Sequence, residues 1–169
     1  MLKVRAETAE DHAAVRRVNE LAFGQPGEAG LVDALRAGKR PHVSLVASEG
    51  GRVVGHIFFS PVTVESAGGV WGAMGLGPMA VLPESQGRGV GSALVREGLR
   101  ECARLGHEVV FVLGHAEYYP RFGFRPAAPE GIGCEFPAPD ENFMVAELRR
   151  GALAGRRGVV RYAPEFREV

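Results

Sequence analysis

At 169 residues, with 46% hydrophobic and 24% charged residues, the chain has the balance of a water-soluble globular protein large enough for a real core. Twenty basic residues offset twenty acidic ones, so the basic excess that a general nucleic-acid binder needs is missing. No apolar run approaches a membrane span, and the two cysteines, Cys102 and Cys134, make neither a disulfide framework nor a metal motif.

These features predict a single domain over 1–169, cytoplasmic, with no membrane, nucleic-acid or metal partner. Residues 2–6 alternate apolar and polar and predict an opening strand. Thr8 followed by Glu10 and Asp11 is a helix start: a threonine caps free N–H groups, and acids suit the positive end of the helix dipole. Val15, Val18, Leu21 and Ala22 then share one helical face. Gly24, Pro26 and Gly27 break the chain. A second helix is predicted over 28–37, with Leu31, Val32 and Leu35 inward and Gly38 closing it. Residues 43–48 and 53–59 read as strands joined by Glu49-Gly50-Gly51-Arg52, a hairpin signal. Pro61 marks an edge or a bulge before Val62, Thr63 and Val64 continue. A long strand is predicted over 71–82. Gly72, Gly75, Gly77 and Pro78 interrupt its first half, which predicts a bulge or a splay. A splay there leaves backbone groups of Met79, Ala80 and Val81 open to a ligand.

The stretch from Pro78 to Gly91 carries the strongest signal. Its first half is apolar and β-compatible; its second half packs Gly87, Gly89 and Gly91 into five positions, and an amphipathic helix pattern follows. A strand end, a glycine turn and a helix N-terminus together make an anion site. The first helical N–H groups lack intrahelical partners, and glycines let the backbone approach a phosphate. Gly91-Ser92 lacks the lysine of a P-loop, and the third glycine of the dinucleotide fingerprint falls on Ser92. What fits is Gln-x-x-Gly-x-Gly, at Gln86, Gly89 and Gly91. The helix is predicted over 88–105, with Leu94, Val95, Gly98, Leu99, Cys102 and Leu105 inward. Gly98 costs about 1 kcal/mol there against alanine, which close packing on the sheet explains. Residues 108–113 read as a buried strand, reached by a right-handed crossover that makes it a parallel or splayed neighbour of the strand before the helix. A short turn ends at Gly123. A Pro-rich loop over 126–139, a strand over 143–148, a loop over 151–158 and a last strand over 159–162 complete the chain.

Tyr119 stands four residues before the pair Gly123-Phe124, one long helix and one strand after the glycine loop. The two motifs at this separation resemble the GCN5-related N-acetyltransferase family over nearly the whole chain. Within it, the run from Gly114 through Tyr118-Tyr119-Pro120-Arg121-Phe122-Gly123-Phe124, with Phe143 to Leu148 after it, is similar to the YhbS-like subgroup. That subgroup often has an acid after the first glycine, where this chain has His115. The resemblance implies an α/β (α+β) fold: a central mixed, mostly antiparallel sheet, splayed between two parallel strands and flanked by helices. It implies acetyl-CoA as cosubstrate and an amine acceptor, small molecule or protein, which attacks the thioester directly in a ternary complex. Pantetheine would lie along Met79, Ala80 and Val81. The pyrophosphate would lie on Gln86, Gly87, Arg88, Gly89, Val90, Gly91 and Ser92. Tyr119 would face the sulfur as the catalytic donor.

A phenol near pKa 10 is a weaker acid than a thiol near 8.5, so full proton transfer is uphill by about 2 kcal/mol. The tyrosine is expected to stabilise the departing thiolate rather than protonate it outright. The base that takes the amine proton is open between His56, His115, Glu117, Glu141 and a water relay. Tyr118 and Phe122 are expected to pack. Arg149, Arg150, Arg156, Arg157 and Arg161 are either a basic patch for an acidic group or a solvated loop. The competing reading is a module of the same fold that binds acyl-CoA without transfer. Acceptor specificity is expected from the loops 23–29 and 126–142. Monomer and homodimer both fit.

Overall fold

The computed structural model describes residues 1–168. β1 (Leu2–Ala6) pairs antiparallel with β2 (Val43–Glu49), β2 with β3 (Arg52–Ser66), and β3 with β4 (Gly69–Val81). The turn between β2 and β3 places Gly50 and Gly51 at φ 57° and 79°, a left-handed pair that side chains resist. Between β1 and β2 lie α1 (His12–Phe23) and α2 (Gly27–Ala37); α3 (Val90–Arg104) follows β4.

Neighbouring residues of a strand face opposite sides, and β3 shows which helix covers which side. A side chain at Gly55 would meet Val90 and Leu94 of α3, whereas His56 meets Asn19 of α1. The sheet is therefore sandwiched between α1 and α3. Gly98 lies on the inner side of α3, where an added Cβ would come within 2.3 Å of the Phe59 ring. Close approach explains the mid-helix glycine.

β3 runs through Pro61 without a break over 15 residues. Its neighbour β2 has ended by Phe59, and β9 (Gly158–Arg161) joins only at Thr63. Pro61 occupies the open edge between them, where a missing N–H costs no ladder bond. The irregularity expected in β4 falls at Gly77-Pro78. Ile57 pairs with Met79 but Phe59 pairs with Leu76, so β4 carries one extra residue there.

That bulge positions the site. β5 (Val109–Leu113) pairs parallel with β4 only from Met74–Val110 to Leu76–Val112. Beyond it, Met79, Ala80 and Val81 stay with β3, while Val112 and Leu113 stay with β8 (Phe143–Glu147). The two parallel strands diverge at Leu76/Val112, where Pro78 offers no N–H across the gap. The result is the expected mixed, mostly antiparallel sheet, and among the described residues it contains nine strands.

Some local expectations are corrected. α3 begins at Val90 rather than at 88, because Gly89 takes the left-handed region at φ 83°. Leu21 and Leu105 are 48% and 49% exposed. Asn19 takes the inward position of α1 that Leu21 was expected to fill, and Leu105 lies past the last turn of α3. The Pro-rich segment after β6 (Arg125–Pro126) is not all loop: β7 (Ile132–Cys134) pairs parallel with β9. No helix among the described residues is long and apolar enough to cross a membrane.

Candidate active site

Two cavities meet at the splay. The first, about 530 Å³, runs along the open edge of β4 and over the start of α3. Met79, Ala80 and Val81 line one side; Gln86, Gly87, Gly89, Val90, Gly91 and Ser92 line the other. The glycine loop owes its shape to Gly87 at φ 74° and Gly89 at φ 83°. The first backbone donation at the head of α3 runs from Ala93 N to Gly89 O at 3.0 Å. It leaves the N–H groups of Val90, Gly91 and Ser92 without intrahelical acceptors, at the positive end of the helix dipole. The Gln86 amide donates to Val81 O at 3.0 Å and braces the loop against the strand end. Arg88 points to the flank of the loop, where it pairs with Glu49 at 2.9 Å.

The turn after β5 supplies the far wall. Tyr118 lines the first cavity with its hydroxyl 3.1 Å from Ser92 Oγ. Arg121 lies beside it, its guanidinium 4.7 Å from the Tyr118 ring centre and its Nε donating to Tyr118 O. Among the described residues this cation meets no carboxylate.

Tyr119 faces the other way, into the second cavity of about 650 Å³. Its ring is 7% exposed and packs edge-on against Tyr118 and Phe124. It lies so close to the end of β5 that a Cβ on Gly114 would fall 2.5 Å from its Cε2. Asn142 fixes that glycine by exchanging hydrogen bonds of 2.9 Å with its backbone, N–H to carbonyl and amide to carbonyl. Burial pushes the Tyr119 phenol up to about 12, so it is a donor throughout the physiological range. Among the described residues its hydroxyl has no hydrogen-bond partner.

Phe23 and Met79 border both cavities, which therefore join along the β4 edge. Of the base candidates, His115 lines the second cavity, whereas Glu117 and Glu141 are exposed and line neither. His56 is fully buried. Asn19 Nδ2 donates to Val15 O at 3.0 Å and to His56 Nδ1 at 3.2 Å. Nδ1 is thus an acceptor, the proton sits on Nε2, and Nε2 donates to Ser44 Oγ at 2.9 Å. Burial lowers the His56 pKa to about 4 and keeps the ring neutral. It is a satisfied core histidine. Arg149 and Arg156 pair with Glu108, and Arg161 pairs with Glu65, so these arginines serve surface ion pairs outside both cavities.

A family model described as an acetyltransferase (GNAT) domain matches residues 3–127. The chain belongs to the GNAT acetyltransferase family. It is 42% identical to the uncharacterized N-acetyltransferase YjhQ of Escherichia coli K12 over 135 residues, 78% of this chain and 75% of that protein. It is 34% identical to the uncharacterized N-acetyltransferase YhbS of the same strain over 164 residues, 96% and 97% of the two chains. The crystal structure of Escherichia coli YhbS in complex with CoA matches with a TM-score of 0.92, covering 98% of this chain and 92% of that one. A GNAT acetyltransferase from Brucella melitensis, in complex with acetyl-CoA, matches with a TM-score of 0.81 at 37% identity over 98% of both chains.

Within this GNAT site, the sequence pattern brought the glycine loop and Tyr119 to the two cavities that meet at the splay. It expected Tyr118 only to pack and gave Arg121 no role. Tyr118 carried a weak signal, as an aromatic beside the motif tyrosine. Arg121 lies within the motif run from Gly114 to Phe124, but its charge carried no separate signal.

Proposed function

We propose that this acetyltransferase moves an acetyl group from acetyl-CoA to a primary amine by direct attack in a ternary complex. The observation that carries the reading is the divergence of β4 and β5 at Leu76/Val112. One cavity there carries the anion-binding loop, the other carries Tyr119, and Met79 borders both. Related GNAT structures hold CoA or acetyl-CoA, which supports the assignment of the first cavity.

In this reading the unpaired N–H groups of Val90, Gly91 and Ser92, with the turn glycines Gly87 and Gly89, hold the pyrophosphate. Gln86 keeps the loop closed on Val81. Arg121 adds positive charge from across the groove, while the charge of Arg88 is already balanced by Glu49. The open edge of Met79, Ala80 and Val81 pairs with pantetheine, and an N–H of that edge stabilises the oxyanion that forms on the acetyl carbonyl.

The amine nitrogen adds to the thioester carbon and the C=O π pair moves onto oxygen; the oxyanion then re-forms the carbonyl as the C–S bond breaks. The amine loses its proton to water or through His115, and the thiolate leaves with the C–S electron pair. Tyr119 donates a hydrogen bond to that sulfur. Burial raises the Tyr119 phenol and would raise a thiol in the same cavity in the same direction, so the ordinary gap remains and full proton transfer is uphill by about 2 kcal/mol. The tyrosine therefore stabilises the thiolate, and the final proton comes from solvent.

The test is thiol release from acetyl-CoA across a panel of primary amines, with acetylated product identified by mass. Amine-dependent release with matching product supports the reading. Tight acetyl-CoA binding with no transfer to any amine would leave a binding module in its place.

A further inference from the structure

We infer that the second cavity is an acceptor site for monocationic amphipathic primary amines, an ammonium on an aromatic or branched aliphatic body, with Glu28 as the group that receives the ammonium. The inference rests on the amine-acceptor reading above and specifies the class of amine. Charge comes first. The cavity wall carries one full anion and one full cation, Glu28 and Arg167. Arg167 is already tied to Glu135 at 2.8 Å. Among the described residues Glu28 meets no cation; it accepts hydrogen bonds only from the Gln25 amide, at 3.0 and 3.2 Å. Most carboxylates of the chain are paired with arginine, so this one is left over at the cavity wall. It sits in the first turn of α2, where the helix dipole favours negative charge.

Apart from His115 and the phenols Tyr119 and Tyr162, the rest of the wall is apolar. Leu31, Phe136 and Phe166 line it together with Phe23 and Leu113. Phe23 and Leu113 are each 40% exposed. Large apolar side chains held open around a concavity mark a ligand surface. A single unpaired carboxylate inside such a wall matches one ammonium and a greasy body. It disfavours amino acids, whose own carboxylate would face Glu28, and polyamines, whose second ammonium would enter the apolar wall unpaired. Glu28 acts in recognition; the proton of the ammonium leaves by the route given above.

The test is calorimetric titration of the CoA-saturated protein with phenethylamine and with its uncharged analogue 2-phenylethanol, for the wild type and Glu28→Gln. Glutamine keeps the shape and the Gln25 contact but removes the charge. The wild type is expected to bind the amine about 10- to 100-fold more tightly than the alcohol, the range of a charge-assisted hydrogen bond. Glu28→Gln is expected to erase that preference while leaving acetyl-CoA affinity unchanged. Equal affinity for amine and alcohol in the wild type would overturn the inference without relying on the variant. So would tighter binding of spermidine or of an amino acid. Glu28-dependent amine binding in a protein that neither binds nor uses acetyl-CoA would leave the cavity assignment standing and remove the transferase reading instead.

Discussion

The hydroxyl of Tyr118 lies 3.1 Å from Ser92 Oγ and ties the turn after β5 to the first turn of α3. Its neighbour Tyr119 points into the other cavity. Two adjacent tyrosines thus face the two cavities, and their phenylalanine variants should separate. Tyr119→Phe is expected to lower kcat by about 10- to 100-fold, the loss of a hydrogen bond to a developing charge, with the acetyl-CoA Kd unchanged. Tyr118→Phe is expected to weaken acetyl-CoA binding by a few-fold and leave kcat near wild type. Steady-state kinetics with calorimetric Kd values check both; a kcat loss confined to Tyr118→Phe would exchange the two roles.

Gly114 is the floor under Tyr119. A methyl group there would sit 2.5 Å from Cε2 of a ring that is itself buried. Gly114→Ala is therefore expected to displace the phenol, lowering kcat about as much as Tyr119→Phe does, while acetyl-CoA affinity is kept. The double variant should add little to either single change, because both act on the same hydroxyl. Independent, multiplying losses would show that Gly114 matters for another reason.

Gly98→Ala sets a helix gain against a clash. Alanine gains about 1 kcal/mol of helix propensity over glycine. Its Cβ would come within 2.3 Å of Phe59, a fully buried ring with no room to retreat. Overpacking of this kind costs about 1–3 kcal/mol, and so large an overlap lies at the upper end. A net loss is expected, read as a Tm lower by a few degrees. A raised Tm would mean that Phe59 repacks freely.

Buried His56 makes stability depend on pH in a defined window. The folded state holds the ring neutral, with its pKa lowered by burial to about 4, while the unfolded chain titrates near 6.5. The unfolded state therefore binds the extra proton first as pH falls. The stability contributed by neutral His56 is complete above pH 6.5 and is lost between 6.5 and 4, by about 3 kcal/mol. The carboxylates Glu7 and Asp11 are held below their usual range. For Glu7, burial pushes upward but is outweighed by Arg36; for Asp11, the Arg5 hydrogen bond leads. Their losses come at lower pH. Urea midpoints measured from pH 7.5 to 4.5 should fall for the wild type and fall less for His56→Gln. Parallel slopes in the two proteins would assign the titration elsewhere.

The parts of the fold that the sequence made legible are those where backbone chemistry leaves little choice. Gly50-Gly51, Gly89 and Gly123 all occupy left-handed positions, and Pro61 and Pro78 sit where an N–H is dispensable. The glycine loop and Tyr119 were legible for the same reason, as fixed spacings around such positions. The rest depended on distant partners. Asn19 turns inward because it meets His56, 37 residues away, and hydrophobic periodicity puts Leu21 there instead. β7 is a short strand sustained by pairing with β9 rather than by its own composition, whereas the strand over 159–162 was expected. Glu28 and Arg121 acquire meaning only from what the folded chain leaves unpaired around them.

The most direct measurement is calorimetric titration with acetyl-CoA of the wild type beside Ser92→Asp. Ser92 lines the groove from the first turn of α3, where an aspartate suits the helix dipole and requires no unusual backbone angle. The variant should fold at least as stably as the wild type, yet place negative charge where the pyrophosphate is proposed to lie. The account predicts micromolar binding by the wild type and a loss of at least tenfold in Ser92→Asp. Equal affinity in the two proteins, or no binding by a folded wild type, would contradict it.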